Sequence, residues 1–434
     1  MVTAPLNEAD NSPCGMRSGV HEWRASLRLG VRPLCLAVLF WLGANQSPAS
    51  AQQDGEPDTS KARTHIGPLW LNPTFALTNL GVDSNVFNQP DDEQPTRDFT
   101  FTFTPQADVW VRLRGTWITL SFKEDLVWYQ RYSSERARND SYVLGWRVPF
   151  NRLSLSASGT WLSTRERPGF EIDARSERTE VDYAVKADYR AFGKTVFSAT
   201  GGQKHVAFDK AAEFLGVNLH DELSRVETTG QATVRYQLTP YTTLAAGVAR
   251  EGDRFPFDHL RDSNSTTITG IVTFDPAALV KGNATFGYRA FHPLVAGLAD
   301  YDGGTFDVNL SYIAPDSTEV TLQAQRDVEY SFDGAQPYYL LTGFLASVTL
   351  HRFGPADVVG RYGAQRLAYA DRVGAAVVVS NRVDHVRTFG LGVGYHVRRD
   401  VRFGVNIDHV SRSSERSDRL YSGLRVGTSV TYGL

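Results

Sequence analysis

The sequence predicts an all-β chain folded as a transmembrane antiparallel β-barrel of about 18 strands with no plug domain. Three observations carry that prediction. Apolar and polar residues alternate with period two through most of the 434 residues. Short and long connections alternate between the alternating segments. The one extended apolar run lies near the start and has the features of an export leader.

That run is "VRPLCLAVLFWLGA", Val31 to Ala44, preceded by Arg24, Arg28 and Arg32 and followed by Ala49-x-Ala51. A basic region, a short apolar core and a small-residue site describe a secretory signal peptide, with cleavage expected before Gln52. The run is too short for a membrane-spanning helix. Residues 1–51 are therefore expected to be removed, 52–67 to form a short periplasmic tail, and 68–434 to form the barrel. Basic residues so far from Met1 raise Met16 as an alternative start. Both cysteines, Cys14 and Cys35, fall in the leader, so the mature chain is expected to carry no thiol or disulfide chemistry. The formal net charge of −3, with no long run of like charge, points away from nucleic acid as a partner.

From residue 68 onward the alternation is that of strands with one apolar and one polar face. In "FTFTFTPQADVWVRL", Phe99, Phe101, Phe103, Val109 and Val111 oppose Thr100, Thr102, Thr104, Asp108 and Arg112. "YVLGWRVPF" and "VDYAVKADYRA" repeat the pattern. Turn-like connections such as Arg114-Gly115, Asn151-Arg152 and Phe353-Gly354-Pro355 alternate with longer polar ones at 83–97, 133–140, 166–176, 208–223, 253–263, 292–303, 331–337, 369–384 and 412–419. Eight short and nine long connections imply 18 strands. A soluble β-sandwich also alternates. It does not, however, sort its connections by length onto two rims, place aromatics near strand ends (Trp128, Tyr129, Tyr132, Tyr142, Trp146, Phe150, Tyr338, Tyr339), or charge one face along whole strands. One residue breaks the pattern: Glu124 falls on the apolar parity, which predicts a bulge or slip in that strand.

The last residues, "LRVGTSVTYGL", keep strand register to the end, as a strand that closes a barrel onto the first one must. The order from Arg425 through Gly427, Val430 and Tyr432 to Leu434 is similar to the C-terminal signal read by the outer-membrane insertion machinery, with Leu in place of the usual Phe.

For catalysis the sequence offers no G-x-S-x-G elbow, no H-E-x-x-H and no phosphate-cradling loop. The ten histidines show no metal-ligand spacing, so neither metal nor cofactor is expected, and the protein reads as a non-enzyme. The informative residues are those on the polar strand faces: Asp108, Trp110, Arg112, Lys123, Asp125, Tyr129, Asp182, Lys186, Asp188, Arg190, Arg402 and Asp408. Acid and base alternating along a lumen would set a transverse field for polar solutes, or would form an ion-paired network that fills the lumen. Trp110 and Tyr129 are candidates for stacking on sugar rings. With no room for a plug ahead of the first strand, the pore is expected to be open or gated by loops. The 208–223 and 369–384 loops, the longest, are the expected constrictions.

"GVDSNVFN", residues 81–88, has the beginning of a calcium loop. Its sixth and twelfth positions from Asp83, Asn88 and Gln94, are not the glycine and bidentate glutamate such a loop needs. Asp83 to Asn85 instead read as the cap of the first strand. Through Gly81, Asp83, Ser84, Asn85, Val86 and Phe87, this stretch resembles the start of the putative β-barrel porin 2 family of bacterial outer-membrane proteins. The resemblance implies a porin-like barrel of the bacterial outer membrane, often associated with exopolysaccharide export, and no catalytic residue. The expected function is accordingly a channel for a hydrophilic solute, assisting export of a secreted polysaccharide. A general small-solute porin is the alternative, and an outer-membrane enzyme or surface-binding barrel comes third. Expected partners are outer-membrane lipid, the barrel-insertion machinery and periplasmic polysaccharide export proteins.

Overall fold

A computed structural model describes residues 57–314 and 317–433. The expected signal peptide, residues 1–51, and Leu434 lie outside the described residues. Eighteen long strands make the wall. The first nine are β1 (Leu69–Asp83), β2 (Asp98–Leu113), β3 (Thr116–Tyr129), β4 (Ala137–Pro149), β5 (Leu153–Glu166), β6 (Ser176–Phe192), β7 (Thr195–Phe208), β8 (Arg225–Thr239) and β9 (Thr242–Arg254). The rest are β10 (Ser263–Phe274), β11 (Val280–Pro293), β12 (Tyr301–Ile313), β13 (Thr318–Tyr330), β14 (Tyr338–Phe353), β15 (Ala356–Ala370), β16 (Val383–Arg398), β17 (Val401–Ser413) and β18 (Tyr421–Tyr432). Each pairs antiparallel with its neighbours in sequence, and β1 pairs with β18, so the sheet closes. No helix among the described residues is long and apolar enough to cross a membrane. The crossing elements are strands, whose backbone groups pair from neighbour to neighbour round a closed cylinder and so need no helix to satisfy them in lipid.

The side-chain period of two decides what faces where. On β16, Phe389, Leu391, Val393, Tyr395 and Val397 are all exposed, while the residues between them turn inward. The same holds on β4 for Leu144 and Trp146 and on β6 for Val181, Tyr183, Val185 and Tyr189. Apolar side chains exposed all round the cylinder are what a lipid-facing wall requires. Toward the short-turn rim the exposed set is aromatic: Trp146, Tyr189, Tyr236, Tyr312, Tyr395 and Tyr432. Of the aromatics expected in such belts, Tyr129, Tyr338 and Tyr339 are instead buried, covered by the long-loop connections.

Hairpin chemistry sets the short rim. Arg114 and Gly115 both have positive φ, 49° and 87°, the two-residue turn whose twist suits a right-handed hairpin. On the same rim the tail folds back, Thr64–Ile66 pairing with Leu69–Leu71.

Two departures from strict alternation are resolved by the wall. The register of β3 with β4 runs unbroken from Trp117↔Arg147 to Val127↔Ala137, through Glu124↔Asp140. The expected slip is therefore absent, and Glu124 stays on the outward parity. Its charge is answered there by Arg138, which also binds Asp140 at 2.8 Å. A carboxylate on the outer face is retained through pairing and not through a shift of the backbone.

The second departure is the seam between β12 and β13. Pairing runs from Ile313↔Glu319 to Phe306↔Arg326 and then stops, although β12 continues outward to Tyr301 and β13 to Tyr330. Side chains of the two strands satisfy part of the freed edges: Tyr301 Oη donates to the Gly304 carbonyl at 2.9 Å, and Asp327 Oδ1 accepts from the Val328 amide at 2.8 Å. A cluster of Phe291, Val328 and Tyr338, with Tyr301, Tyr330 and Leu340 against it, packs at this level.

Candidate functional site

The apolar clusters of the described residues sit at the long-loop end, where connections turn into the barrel. The connection that reaches furthest is 167–175, between β5 and β6. On its own side it is held by the Val86 carbonyl, which accepts from Arg167 Nη2 at 2.8 Å and Arg175 Nη1 at 3.2 Å. Arg175 also pairs with Glu135 at 3.0 Å and lies 4.7 Å over the Tyr129 ring. Across the ring of strands, Glu171 accepts from Ser331 Oγ at 2.6 Å and the Phe332 amide at 3.2 Å. Arg412 Nη1 of β17 donates to the Phe170 carbonyl at 2.8 Å and to Asp173 at 3.2 Å. Arg419 pairs with Asp173 at 3.0 Å and also donates to the Glu171 carbonyl. β5 and β6 lie nine places round an 18-strand ring from β14 and β15, so this loop spans the lumen.

Local sequence explains the path. Pro168 and Gly169, the latter at φ 76°, turn the chain inward. Beyond them apolar and acidic residues alternate. Phe170 packs on Tyr339, Leu341, Leu367, Tyr369 and Val386 of the far wall. Ile172 enters a second cluster with Phe208, Phe214, Leu219, Leu223 and Phe332. That cluster ties in the 209–224 connection, which carries a small hairpin, Glu213–Phe214 with Val217–Asn218, and a five-residue helix, Leu219–Leu223. Glu171 and Asp173 meet the arginines. Arg382 and Arg412 both hold Asp384, Arg382 with bonds of 3.0 and 2.5 Å, and all three are buried. Buried charges of this kind persist only when paired and hydrogen-bonded. Burial pushes the Glu171 carboxyl above its ordinary range, with Ser331, Arg382 and Arg419 opposing that shift.

The constriction differs from the expectation. Of the two loops expected to narrow the pore, the first does fold inward. The 371–382 connection joins its neighbours through Gln336, which donates to Asp371 at 2.6 Å and to the Val379 carbonyl at 3.0 Å. The shorter 167–175 connection makes the crossing. Arg412 and Arg419, which hold it, and Arg382, which shares Asp384 with Arg412, were not singled out in the sequence. Arg412 was discoverable, lying on the inward parity of β17 with Arg402 and Asp408.

The motif 81–87 is a clamp at the closure seam. A Cβ on Gly81 would stand 2.0 Å from the Val426 carbonyl oxygen, so only glycine fits there. Asp83 pairs with Arg425 at 2.7 Å, joining β1 to β18. Ser84 and Leu424 exchange bonds of 2.9 and 2.8 Å. Asn85 Nδ2 reaches the Gln89 and Ser422 carbonyls, both at 3.0 Å. Phe87 stacks edge-on with Tyr132 at 5.1 Å. The stretch does cap the first strand, and Val86 adds the anchor for the crossing loop. Gly427 lies against the Asn79 bulge of β1.

The other polar-face residues occupy the parity opposite the exposed apolar one. Asp108 accepts from Ser121 at 2.7 Å, and Asp125 from Thr104 at 2.9 Å. Asp188 gathers Lys186 at 3.2 Å, Arg235 at 2.8 Å and Ser198 at 2.6 Å. Lys204, at 2.9 Å from Glu180, lies opposite Asp182 in the ladder. Lys123 and Arg190 sit on the same inward parity. Tyr129 is no platform for a sugar, because its ring is buried beneath Arg175. Near the short-turn rim Trp70 and Trp110, half-buried and opposite one another in the ladder, are more available, whereas Trp117 is buried beneath Arg112 at 5.5 Å and Trp70 at 5.2 Å.

On the same rim, β14 to β17 enclose a cavity of about 250 Å³ lined by His351, Asp357, Arg361, His396, Arg402 and Asn406, among others. Asp357 is held by Arg402 at 2.6 and 2.7 Å and by His396 at 2.9 Å, while Arg361 pairs with Asp408 at 2.8 Å. His351, Asp357 and His396 place possible metal-ligand atoms within 4.8 Å of one another. No sequence spacing suggested this group, because three strands assemble it. With both Asp357 oxygens already engaged by Arg402, a metal would have to displace a guanidinium, and the set fits an ion-paired cluster better.

The family model described as "Putative beta-barrel porin 2" matches residues 63–433. No curated protein matches the chain. Among solved structures, a BenF-like porin from Pseudomonas fluorescens Pf-5 is 12% identical, covering 86% of this chain and 100% of that one with a TM-score of 0.47. OpdK of Pseudomonas aeruginosa, solved with vanillate, is 11% identical over 83% of this chain and 98% of that one, with a TM-score of 0.45. The FrpB iron transporter of Neisseria meningitidis is 11% identical over 80% of this chain and 63% of that one, with a TM-score of 0.41.

Proposed function

The chain belongs to the putative β-barrel porin 2 family and is a porin-like barrel of the bacterial outer membrane, and from that premise we propose that it is a passive, loop-constricted channel for small hydrophilic solutes. The observation that carries this reading is the 167–175 loop, tied to both sides of the lumen by Arg167, Arg175, Arg412 and Arg419. An 18-strand cylinder is wide enough for an aqueous channel, and a loop across it divides that width. Solutes then pass beside walls of paired acids and bases that select by charge and size. The experiment is single-channel conductance of the full mature chain in planar bilayers, beside Arg412→Ala/Arg419→Ala. A measurable wild-type conductance that rises at least twofold when the far tethers are cut is expected; absence of current in both proteins overturns the channel.

A second reading, export of a polysaccharide with periplasmic export proteins as partners, is favoured by Trp70 and Trp110 near the short-turn rim, since tryptophan faces suit sugar rings. It requires the crossing loop to leave the lumen. Loss of secreted polysaccharide in a deletion strain supports it, and unchanged polysaccharide leaves the small-solute channel as the function.

A further inference from the structure

We infer that the outward face of β15 to β17, beside the long-loop rim, binds the phosphates of a phosphorylated glycolipid in the outer leaflet. Arg366, His385, Arg387 and His409 all point outward there and are exposed. Arg366 stands directly opposite His385 in the ladder. Arg387 follows His385 on the same face, and His409 lies opposite Phe389, one outward step beyond Arg387. Neighbours of this kind are about 5–8 Å apart, so four cationic or donor side chains share one head-group-sized area.

Among the described residues, none of the four has an ion-pair or hydrogen-bond partner, and no Asp or Glu occupies the outward parity of β14 to β18. Several outward charges elsewhere on the wall are satisfied by the protein itself. Glu124 and Asp140 share Arg138, and Arg254 donates to the Ser263 carbonyl and to Asn264. The patch lies immediately beyond Phe389 and Tyr362, where the apolar surface ends. Long loops mark the outer rim of such barrels, which puts the patch at the outer-leaflet head groups. Guanidinium pairs phosphate through paired, charge-assisted bonds, and Ser411 and Ser413, opposite Arg387 and His385, offer hydroxyls to sugar.

The test titrates the purified full chain in detergent with bisphosphorylated lipid A, with the same lipid dephosphorylated, and with inorganic phosphate, reading bound lipid by native mass spectrometry. Bisphosphorylated lipid A is expected to bind at least tenfold more tightly than the dephosphorylated form. Arg366→Gln/Arg387→Gln is expected to remove that preference, and Arg250→Gln, an outward arginine on β9, to keep it. Retention of heat-modifiable gel mobility shows that each variant is folded, and Arg387→Gln alone serves where the double variant is not. Equal binding of both lipids, binding by the folded double variant within twofold of wild type, or saturation by inorganic phosphate alone overturns the inference.

Discussion

Glu171 shows what one residue does in this barrel. It sits at the middle of the crossing loop with its carboxyl buried among Ser331, the Phe332 amide, Arg382 and Arg419, and burial raises its pKa. The docked loop therefore favours the neutral acid. That contribution is complete below the ordinary carboxylate range and is lost as pH rises through the raised value. Conductance is accordingly expected to increase from acid toward neutral pH in the wild type, with Glu171→Gln removing the dependence; an unchanged profile in that variant shows that the loop does not titrate through this side chain. Composition gave no hint of this, because burial of a loop carboxylate depends on what the loop meets.

At the scale of elements, strands were the most legible feature and their pairing the least. Period-two alternation places β1 to β18 within a few residues and assigns inward parity to Asp108, Asp188 and Asp408 from sequence alone. It does not say where pairing ends. The outer part of β12 has lost β13 as a neighbour, its Gly304 carbonyl being met by Tyr301 instead. Edges bonded on one side open more readily than a continuous ladder. Amide exchange should be faster at Gly303 and Gly304 than at Phe306 to Leu310 on the same strand; equal protection along β12 would show the seam zipped in solution. Glu124 teaches the converse lesson. Parity correctly put it outside, and the inferred slip failed because Arg138, one strand away, already supplied its counter-charge.

In the whole molecule, the crossing loop makes the cylinder more than a wall. Arg412 joins Asp173 and the Phe170 carbonyl of the loop to Asp384 of β16, and its side chain is fully buried. Removing one member of a buried ion-paired set leaves uncompensated charge, at a cost of about 3–5 kcal/mol. Arg412→Ala should therefore lower the unfolding midpoint in detergent clearly, while a substitution of the exposed Arg398 beside the short-turn rim should not; similar midpoints for both would mean that the loop adds nothing to the fold.

By itself, the sequence determined an antiparallel barrel, its strand number, its two rims and which side chains face lipid. Those follow from periods and connection lengths, which are local properties of the chain. The motif at 81–87 likewise identified the family from adjacent residues. Only the tertiary structure decided that Asp83 clasps Arg425 across the seam and that 167–175 spans the lumen to Arg412 and Arg419. It also decided that His351, Asp357 and His396 meet on one wall and that Arg366 and Arg387 stand unpaired on one patch. Each of these joins residues from separate strands, and the distances between them are set by register and closure, which no local pattern encodes.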